Sequence, residues 1–500
     1  MINPVREGYL SLSKTYNLIP VSDEINADLD TPISIYKKVA PAGPAYLLES
    51  VEGGEILARY SFIGFDPFLT FISQGEESHV YGPGSKKIIP GPPLEALERV
   101  IGSYSVYQAP GLPRFFGGAV GYISYDVARF TGKIETPQGG MPGLPGCYFI
   151  FAGTVLIFDH VKRALTVVVN SLPGADPGGA YDLARERIKK IVWAIQSNAP
   201  IKKDTVRSQA CAYGKLEANI DSGEFMAKVA QAKEYIKSGD VLQVVLSRRL
   251  RAPFCGDPFD VYRKLRALNP SPYLYYLDFD EVKVAGSSPE MLVRVEGTTV
   301  STCPIAGTRP RGADRESDLA LAKELLGDAK ERSEHLMLVD LGQDDLEKVC
   351  ETGSVGLDRF MEVEKYSHVM HLVSSLCGNL APGKNCFDAL KACFPAGTVT
   401  GAPRARAMEI INELEPDGRG IYAGATGYIG FSGNMDFAIT IRTIVMQEGY
   451  AYVQAGAGIV AGSNPKAEYE ETVNKARALL TTLWEVEADW VSAYGQCEGL

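Results

Sequence analysis

Hydrophobic and polar positions along this chain alternate with two different periods. Ala45-Tyr46-Leu47-Leu48-Glu49-Ser50, Arg59-Tyr60-Ser61-Phe62-Ile63-Gly64 and Tyr148 to Phe158 are short, apolar and rich in β-branched and aromatic residues, and they read as strands. A turn at Gly64-Phe65-Asp66-Pro67 is expected to close the second, and Ala164 to Asn170 to form a hairpin with the third. Pro92-Pro93 opens a helix to about Ser103, and Tyr181 to Gln196 repeats Leu183, Ile188, Ile191, Val192 and Ile195 at helical spacing. Gly117-Gly118-Ala119-Val120-Gly121-Tyr122 fits tight sheet packing. Ser197 to Ala218 is polar and aperiodic, and it divides a β-rich N-terminal region, 1–200, from a second region, 219–487.

In the second region Asp221 caps a helix to Lys237, and Asp257 with Pro258 opens another to Leu268. Strands are expected at Val241 to Leu250, Tyr273 to Phe279, Val282 to Ala285, Met291 to Val295 and Thr299 to Pro304. Gly286-Ser287-Ser288-Pro289-Glu290 reads as a turn and Ile305 to Arg311 as a loop. Pro403, with Gly397-Thr398 before it, would present free amides at a helix start. Tyr422 to Phe431, Met435 to Gln447 and Tyr450 to Gly456 alternate as strands. Helices and hairpins come in runs without βαβ alternation, which predicts an α+β fold with antiparallel sheets. Gly456-Ala457-Gly458 does not make a dinucleotide fingerprint, because the spacing to Gly462 is wrong and no helix opens on these glycines.

Composition narrows the partners. A net charge of −11 over 500 residues argues against nucleic acid or an anionic membrane as the main partner. Cys147 to Phe158, the longest apolar run, is too short to span a bilayer, and Met1 to Pro20 has no signal-peptide core. Nine scattered cysteines without a CxxC suit a reducing cytoplasm better than a disulfide framework, and five histidines without HExxH argue against a zinc site.

The candidate chemistry centres on two helices. Asp328 with Glu331 reads as a capping box, and Leu336 to Leu341 is apolar on nearly every side, so Glu331 and Glu334 enter a buried region one turn apart. Near the end of the chain Asn464 and Pro465 open a helix that carries Glu468, Glu471 and Lys475 on one face. Buried carboxylates must be paired, protonated or bound to a cation, so two facing ExxE helices suit a hard divalent ion such as Mg²⁺.

Gly286 to Glu290, Pro304 to Thr308, Glu331 to Leu341, Phe394 to Pro403 and Ala455 to Lys475, in this order, resemble the chorismate-utilising enzymes, and among them the anthranilate synthase component I family. The resemblance covers nearly the whole chain. It implies two orthogonally packed antiparallel β-sheets with surrounding helices, a regulatory N-terminal region and a chorismate-binding catalytic region. It makes Glu334 and Glu471 the Mg²⁺ ligands, supported by Glu331 and Glu468. Glu290 becomes the general acid for the ring hydroxyl at carbon 4, and His371 lines the ring pocket, with His368 the weaker candidate. Tyr422, Arg442 and Lys475 would hold the enolpyruvyl carboxylate, and Gly307, Thr308, Gly456, Ala457 and Gly458 would approach the substrate carboxylates. A buried Arg442 inside a strand wants such a carboxylate.

The implied reaction turns chorismate and ammonia into anthranilate and pyruvate. Gln243 stands where water-adding relatives carry a lysine base, and Ala306 where aminodeoxychorismate synthases carry a nucleophilic lysine. An aminodeoxychorismate synthase or another chorismate-aminating enzyme is the alternative, and a silent tryptophan-sensing protein a third reading. The chain offers no spare length for a glutamine amidotransferase domain, so a separate glutamine amidotransferase subunit is implied, in a heterotetramer of two large and two small subunits. Leu48, Glu49, Ser50, Pro272, Tyr273 and Leu274 resemble the family's allosteric L-tryptophan site, with Leu274 in place of the usual methionine. Gln343-Asp344-Asp345-Leu346-Glu347 departs from the usual Arg-Asn-Asp-Leu-Gly, which leaves the local ion pairing open.

Overall fold

The computed structural model describes residues 2–39, 43–50, 59–132, 141, 143–197, 215–366 and 369–494. The first region supplies β1 (Ile19–Asn26), β2 (Ala45–Glu49), β3 (Tyr60–Gln74), β4 (Glu77–Gly82), β5 (Ser85–Pro90), β6 (Gly118–Ile123), β7 (Cys147–Asp159) and β8 (Ala164–Ser171). Beyond Lys215 come β9 (Glu217–Ala218), β10 (Gln243–Pro253), β11 (Tyr273–Phe279), β12 (Val282–Ser288), β13 (Met291–Glu296), β14 (Thr299–Thr302) and β15 (Ile305–Pro310). They are followed by β16 (Gly356–Lys365), β17 (Val369–Asn379), β18 (Gly401–Ala402), β19 (Ala425–Gly430), β20 (Met435–Ile439), β21 (Thr443–Gln447) and β22 (Tyr450–Ile459). Every pairing between these strands is antiparallel, as the α+β class requires.

One sheet runs β1-β8-β7-β3-β2-β11-β12-β21-β22-β10. The other runs β5-β4-β3-β7-β6-β19-β20-β13-β14-β17, with β15 beside β17 on the β14 side and β16 on its far side. The long strands β3 and β7 belong to both. Phe62 to Phe65 pair with β2 and Thr70 to Gln74 with β4. Between them the register against β7 slips at Pro67/Leu69, and Asp66 takes a φ of 52°. The turn expected at Gly64 to Pro67 is therefore a bulge inside a 15-residue strand, the device by which a strand rounds the corner between two sheets.

Side-chain alternation sorts the core into layers. Tyr46, Phe62, Tyr122, Tyr275, Leu277, Tyr428 and Val445 meet between the sheets. Their neighbours Leu47, Ile63, Leu274 and Tyr276 point outward, under the Pro177–Gln196, Pro258–Leu268 and Pro465–Tyr494 helices. Val293 and Phe437 of the second sheet pack with Val339, Phe387 and Leu390 of the Ala329–Glu347 and Cys386–Cys393 helices. Gly121 shows why the glycine-rich strand must be bare: a Cβ there would lie 1.8 Å from the Tyr148 carbonyl oxygen.

Several sequence expectations are corrected by long-range pairing. Gly286 to Ser288 belong to β12, so the turn shrinks to Pro289-Glu290. Ile305 to Pro310 form β15 rather than a loop, with Gly307 at φ 66° where the register against β17 slips. Met435 to Gln447 is two strands, and Arg442 sits in the break at φ 53° rather than inside a strand. Leu183 is 74% exposed. Leu336 is 41% exposed, so the Ala329–Glu347 helix buries one face and not its whole circumference. Cys147, Cys303, Cys350, Cys377, Cys386 and Cys393 are free thiols, while Cys255 is disulfide-bonded. Most of the polar segment between the regions, 198–214, lies outside the described residues, as does His368. Among the described residues no helix is long and apolar enough to cross a membrane.

Candidate active site

Glu290 follows the end of β12, where the chain leaves the first sheet for β13 of the second. Its main chain is pinned, with its carbonyl accepting from Ile439 N at 3.0 Å and its N–H donating to Ser288 Oγ at 3.4 Å. Its side chain is buried, and burial pushes the carboxyl up to about 8, opposed by the Thr398 hydroxyl, the Ile305 amide and the charge of Lys475. Glu290 and Thr398 share a pocket with Leu338, Leu341, Asp345 and Arg404.

The two glutamate helices bring Glu334 and Glu471 near enough for their charges to act on each other. Asp328 caps the Ala329–Glu347 helix through the amides of Lys330 and Glu331. Glu331 does not complete a capping box; its carboxylate is 3.7 Å from Arg309 and close enough to Gly307 that a Cβ there would come within 3.1 Å. Burial raises the Glu334 carboxyl, and the nearby charges of Glu331 and Glu471 raise it further. Burial also raises Glu468, opposed by the nearby Ser463 hydroxyl and reinforced by the charge of Glu471. Asn464 caps the second helix through the amides of Lys466 and Ala467. Glu471 receives the Lys475 ammonium at 2.6 Å, and the same ammonium donates to the Gly456 carbonyl at 3.0 Å.

No three His, Cys, Asp or Glu side chains among the described residues converge tightly enough to enclose an ion. Mg²⁺ does not need such a cage, since it takes one or two carboxylates and fills its other positions with water and substrate oxygens. Facing carboxylates that raise one another's proton affinity are relieved by a divalent cation, so this donor set fits Mg²⁺.

Cations and dipoles line the rest of the cleft. Arg442, lifted out of the sheet by its left-handed backbone, makes no ion pair among the described residues, and burial lowers its proton affinity. The Tyr422 hydroxyl lies where a Cβ on Gly456 would sit, 2.6 Å away, and Gln243 Nε2 likewise fills the space over Gly458 at 2.7 Å. Ala457 faces the other way, packing with Leu246 and Ile459, so it offers only backbone to the cleft. Strand β21 pairs with β22 no further than Val453, which leaves one edge of β22 without a strand beside Gly456 and Gly458. His371 Nδ1 donates to the Gly307 carbonyl at 2.9 Å, with Thr308 Oγ1 3.2 Å away. Burial holds this imidazole neutral, with Nε2 as its remaining acceptor.

The six residues expected at a regulatory site come together in a second, partly open cavity between the sheets. Tyr60, Phe62, Arg114, Tyr275, Arg294, Tyr428 and Asp436 are among its other walls. Glu49 is buried there; it accepts from Tyr262 Oη at 2.5 Å and lies 3.1 Å from Arg266, while its Oε1 has no partner. Asp436 binds Arg294 at 2.7 Å and Tyr273 Oη at 3.0 Å. Reading the chain missed these added walls, and it missed Thr398 as the neighbour of Glu290, because no local pattern links them. The departure at Gln343 to Glu347 is resolved: Asp345 pairs with Arg404 and, at 2.9 Å, with Lys348, while Gln343 bonds Glu347 at 2.8 Å.

A cleft between antiparallel sheets, with acids from two helices near the unpaired Arg442, is the architecture of a chorismate-binding enzyme. The chain belongs to that family, whose model matches residues 43–481. Within it the chain is 46% identical over 494 residues to anthranilate synthase component 1 of Acetivibrio thermocellus, covering 97% of this chain and 99% of that one. The crystal structure of anthranilate synthase component I from Streptococcus pneumoniae superposes with a TM-score of 0.76 at 37% identity, covering 91% of this chain and 98% of that one. The menaquinone-specific isochorismate synthase of Escherichia coli shares the fold, with a TM-score of 0.71 at 20% identity over 96% of this chain and 98% of that one. The family resemblance read from the motifs is thereby borne out.

Proposed function

We propose that this chain is the large component of an anthranilate synthase, converting chorismate and ammonia to anthranilate, pyruvate and water. The observation that carries the reading is a chain of charges: Lys475 acts on the buried Glu290 and pairs with Glu471 at 2.6 Å, and Glu471 in turn acts on Glu334 and on the buried Arg442. Arg442 and Lys475 would take the enolpyruvyl carboxylate, beside the Tyr422 hydroxyl, which burial keeps protonated by pushing its pKa to about 12. Glu290, neutral at pH 7 because it is dry, gives its proton to the ring hydroxyl leaving carbon 4. Neutral ammonia adds at carbon 2, needing no lysine base, and Gln243 and Ala306 supply none. Loss of the carbon 2 proton and of pyruvate then makes the ring aromatic. Mg²⁺, held by Glu334 and Glu471 with Glu331 and Glu468 in support, would neutralise the ring carboxylate and draw electrons toward it.

A glutamine amidotransferase subunit would deliver the ammonia in the cytoplasm, within a two-plus-two assembly. L-Tryptophan would occupy the second cavity as feedback inhibitor, its ring among Phe62, Tyr275 and Tyr428 and its ammonium at the free Glu49 oxygen.

The test is to incubate the purified chain with chorismate, Mg²⁺ and an ammonium salt at mildly alkaline pH and follow anthranilate fluorescence and pyruvate. A Mg²⁺-dependent signal suppressed by tryptophan is expected. Consumption of chorismate without pyruvate would move the reading to an aminodeoxychorismate-type enzyme, and untouched chorismate would overturn catalysis altogether.

A further inference from the structure

Arg419 is 1% exposed, the largest of the fully buried side chains, and stands in the loop after the Arg404–Leu414 helix. Its guanidinium is held from four directions. Nε donates to Glu415 Oε2 at 2.9 Å, and Nη2 donates both to Glu415 Oε1 and to the Val245 carbonyl of β10, each at 2.7 Å. Nη1 donates to the Val399 carbonyl at 2.7 Å. The guanidinium also covers two rings, Tyr125 at 4.9 Å and Tyr422 at 5.6 Å. Glu415 passes the restraint on: its Oε1 accepts from Ser247 N at 2.7 Å and Ser247 Oγ at 3.0 Å, and Gln454 Nε2 donates to that hydroxyl at 2.9 Å.

Stability alone does not account for this pair. Taking both charges out of water costs several kcal/mol, and a well-packed apolar pair serves a core about equally well. What the pair supplies is geometry. Val399 is the next residue after Thr398, which lines the same pocket as Glu290, and both belong to the single helical turn Gly397–Val399. Tyr422 reaches the cleft at Gly456, and Gln454 lies two residues before Gly456 on β22. Arg419 thus joins the turn behind the acid to the strand and the tyrosine on the substrate side.

Resting on the reading above, we propose that Arg419, anchored by Glu415, is a positioning residue for the reaction: through the Val399 carbonyl it sets Thr398 against Glu290, and through its stack on Tyr422 it sets the opposite wall. It touches neither substrate nor metal.

The test is a double-mutant cycle of Arg419→Lys and Thr398→Val on the full chain, assayed with chorismate and ammonium. Lysine keeps the charge but cannot reach Glu415 and both carbonyls together. If Arg419 acts through Thr398, each single change lowers kcat, by about 50-fold and about tenfold, with KM for chorismate changed less than about threefold, and the double change costs little more than Arg419→Lys alone. A merely structural Arg419 lowers the melting temperature but leaves kcat of the folded fraction unchanged, or multiplies independently with Thr398→Val to about 500-fold; either result overturns the proposal. If the lysine variant does not fold, Glu415→Gln, which keeps the side-chain shape, replaces it in the same cycle with the same criteria. An inactive wild-type chain in the same assay refutes the functional reading instead, so the two failures are distinct.

Discussion

Glu290 offers the sharpest test of the site's electrostatics. Burial moves its carboxyl from an ordinary 4.5 to about 8, so the folded chain holds a proton there that the unfolded chain releases. Between these two values the native state binds more protons than the unfolded state, and stability from this group therefore falls as pH rises. Its contribution is fully present below about 4.5 and is lost by the time pH passes the folded value near 8. At about 1.4 kcal/mol per unit the whole change comes to about 5 kcal/mol, with the steepest loss between pH 5 and 8. Glu290→Gln keeps the shape of the neutral acid and cannot ionise, so it removes the pH dependence that belongs to this group alone. The assay is thermal or urea unfolding of wild type and variant side by side at pH 5, 6, 7 and 8, without substrate. The variant should gain on the wild type by roughly 1 kcal/mol for each pH unit, while anthranilate formation falls at least about 100-fold. A stability difference that stays flat from pH 5 to 8 would refute the reasoning, because Glu290 would then ionise in the folded chain as easily as in the unfolded one.

Other changes have equally definite outcomes. Glu471→Ala should raise the Mg²⁺ concentration needed for half-maximal activity more than about tenfold, read by titrating the metal at saturating chorismate. Glu49→Gln removes the charge that would meet the ligand's ammonium, and calorimetry should show tryptophan binding at least about tenfold weaker. Gly121→Ala drives a Cβ to 1.8 Å from a backbone oxygen and should abolish soluble expression, whereas Gly102→Ala meets nothing within 4 Å and should leave the melting temperature within about 3 °C of wild type.

Helix starts were legible in the chain because their determinants are local. Asp221, Asp257, Asp328 and Asn464 each cap the helix expected of them through amides two or three residues on. Strand limits were misread where clusters of turn residues lay inside a strand. Gly64 to Pro67 and Ile305 to Pro310 carry turn residues, yet each is held in a strand by a partner far away in sequence, and Gly286 to Ser288 are held by the neighbouring Tyr273 to Tyr275, with Gly286 also paired to distant Thr443. The glutamate pairs and Arg442 stood out because their types and spacing already suggested chemistry. Thr398, Arg419 and the walls contributed by Arg294 and Tyr428 did not, since their roles arise from distances between segments that nothing in the local sequence encodes. Glu331 shows the opposite failure: a familiar local motif suggested a cap, and the folded chain turned the side chain toward Arg309 instead.

The interleaving of the two regions has a consequence for how the chain is made. Strand β2 lies between β3 and β11, and β6 between β7 and β19, so residues near the start are completed by residues 273–279 and 425–430. During synthesis from the N-terminus, both strands present one open, apolar edge until hundreds of further residues have emerged. Such edges invite pairing with the wrong chain, and contacts this distant in sequence form slowly. The first two hundred residues are thus not a domain that can be excised and studied alone. Expressed by themselves they should aggregate, and they should become soluble only when the remainder of the chain is supplied in the same cell to close both sheets.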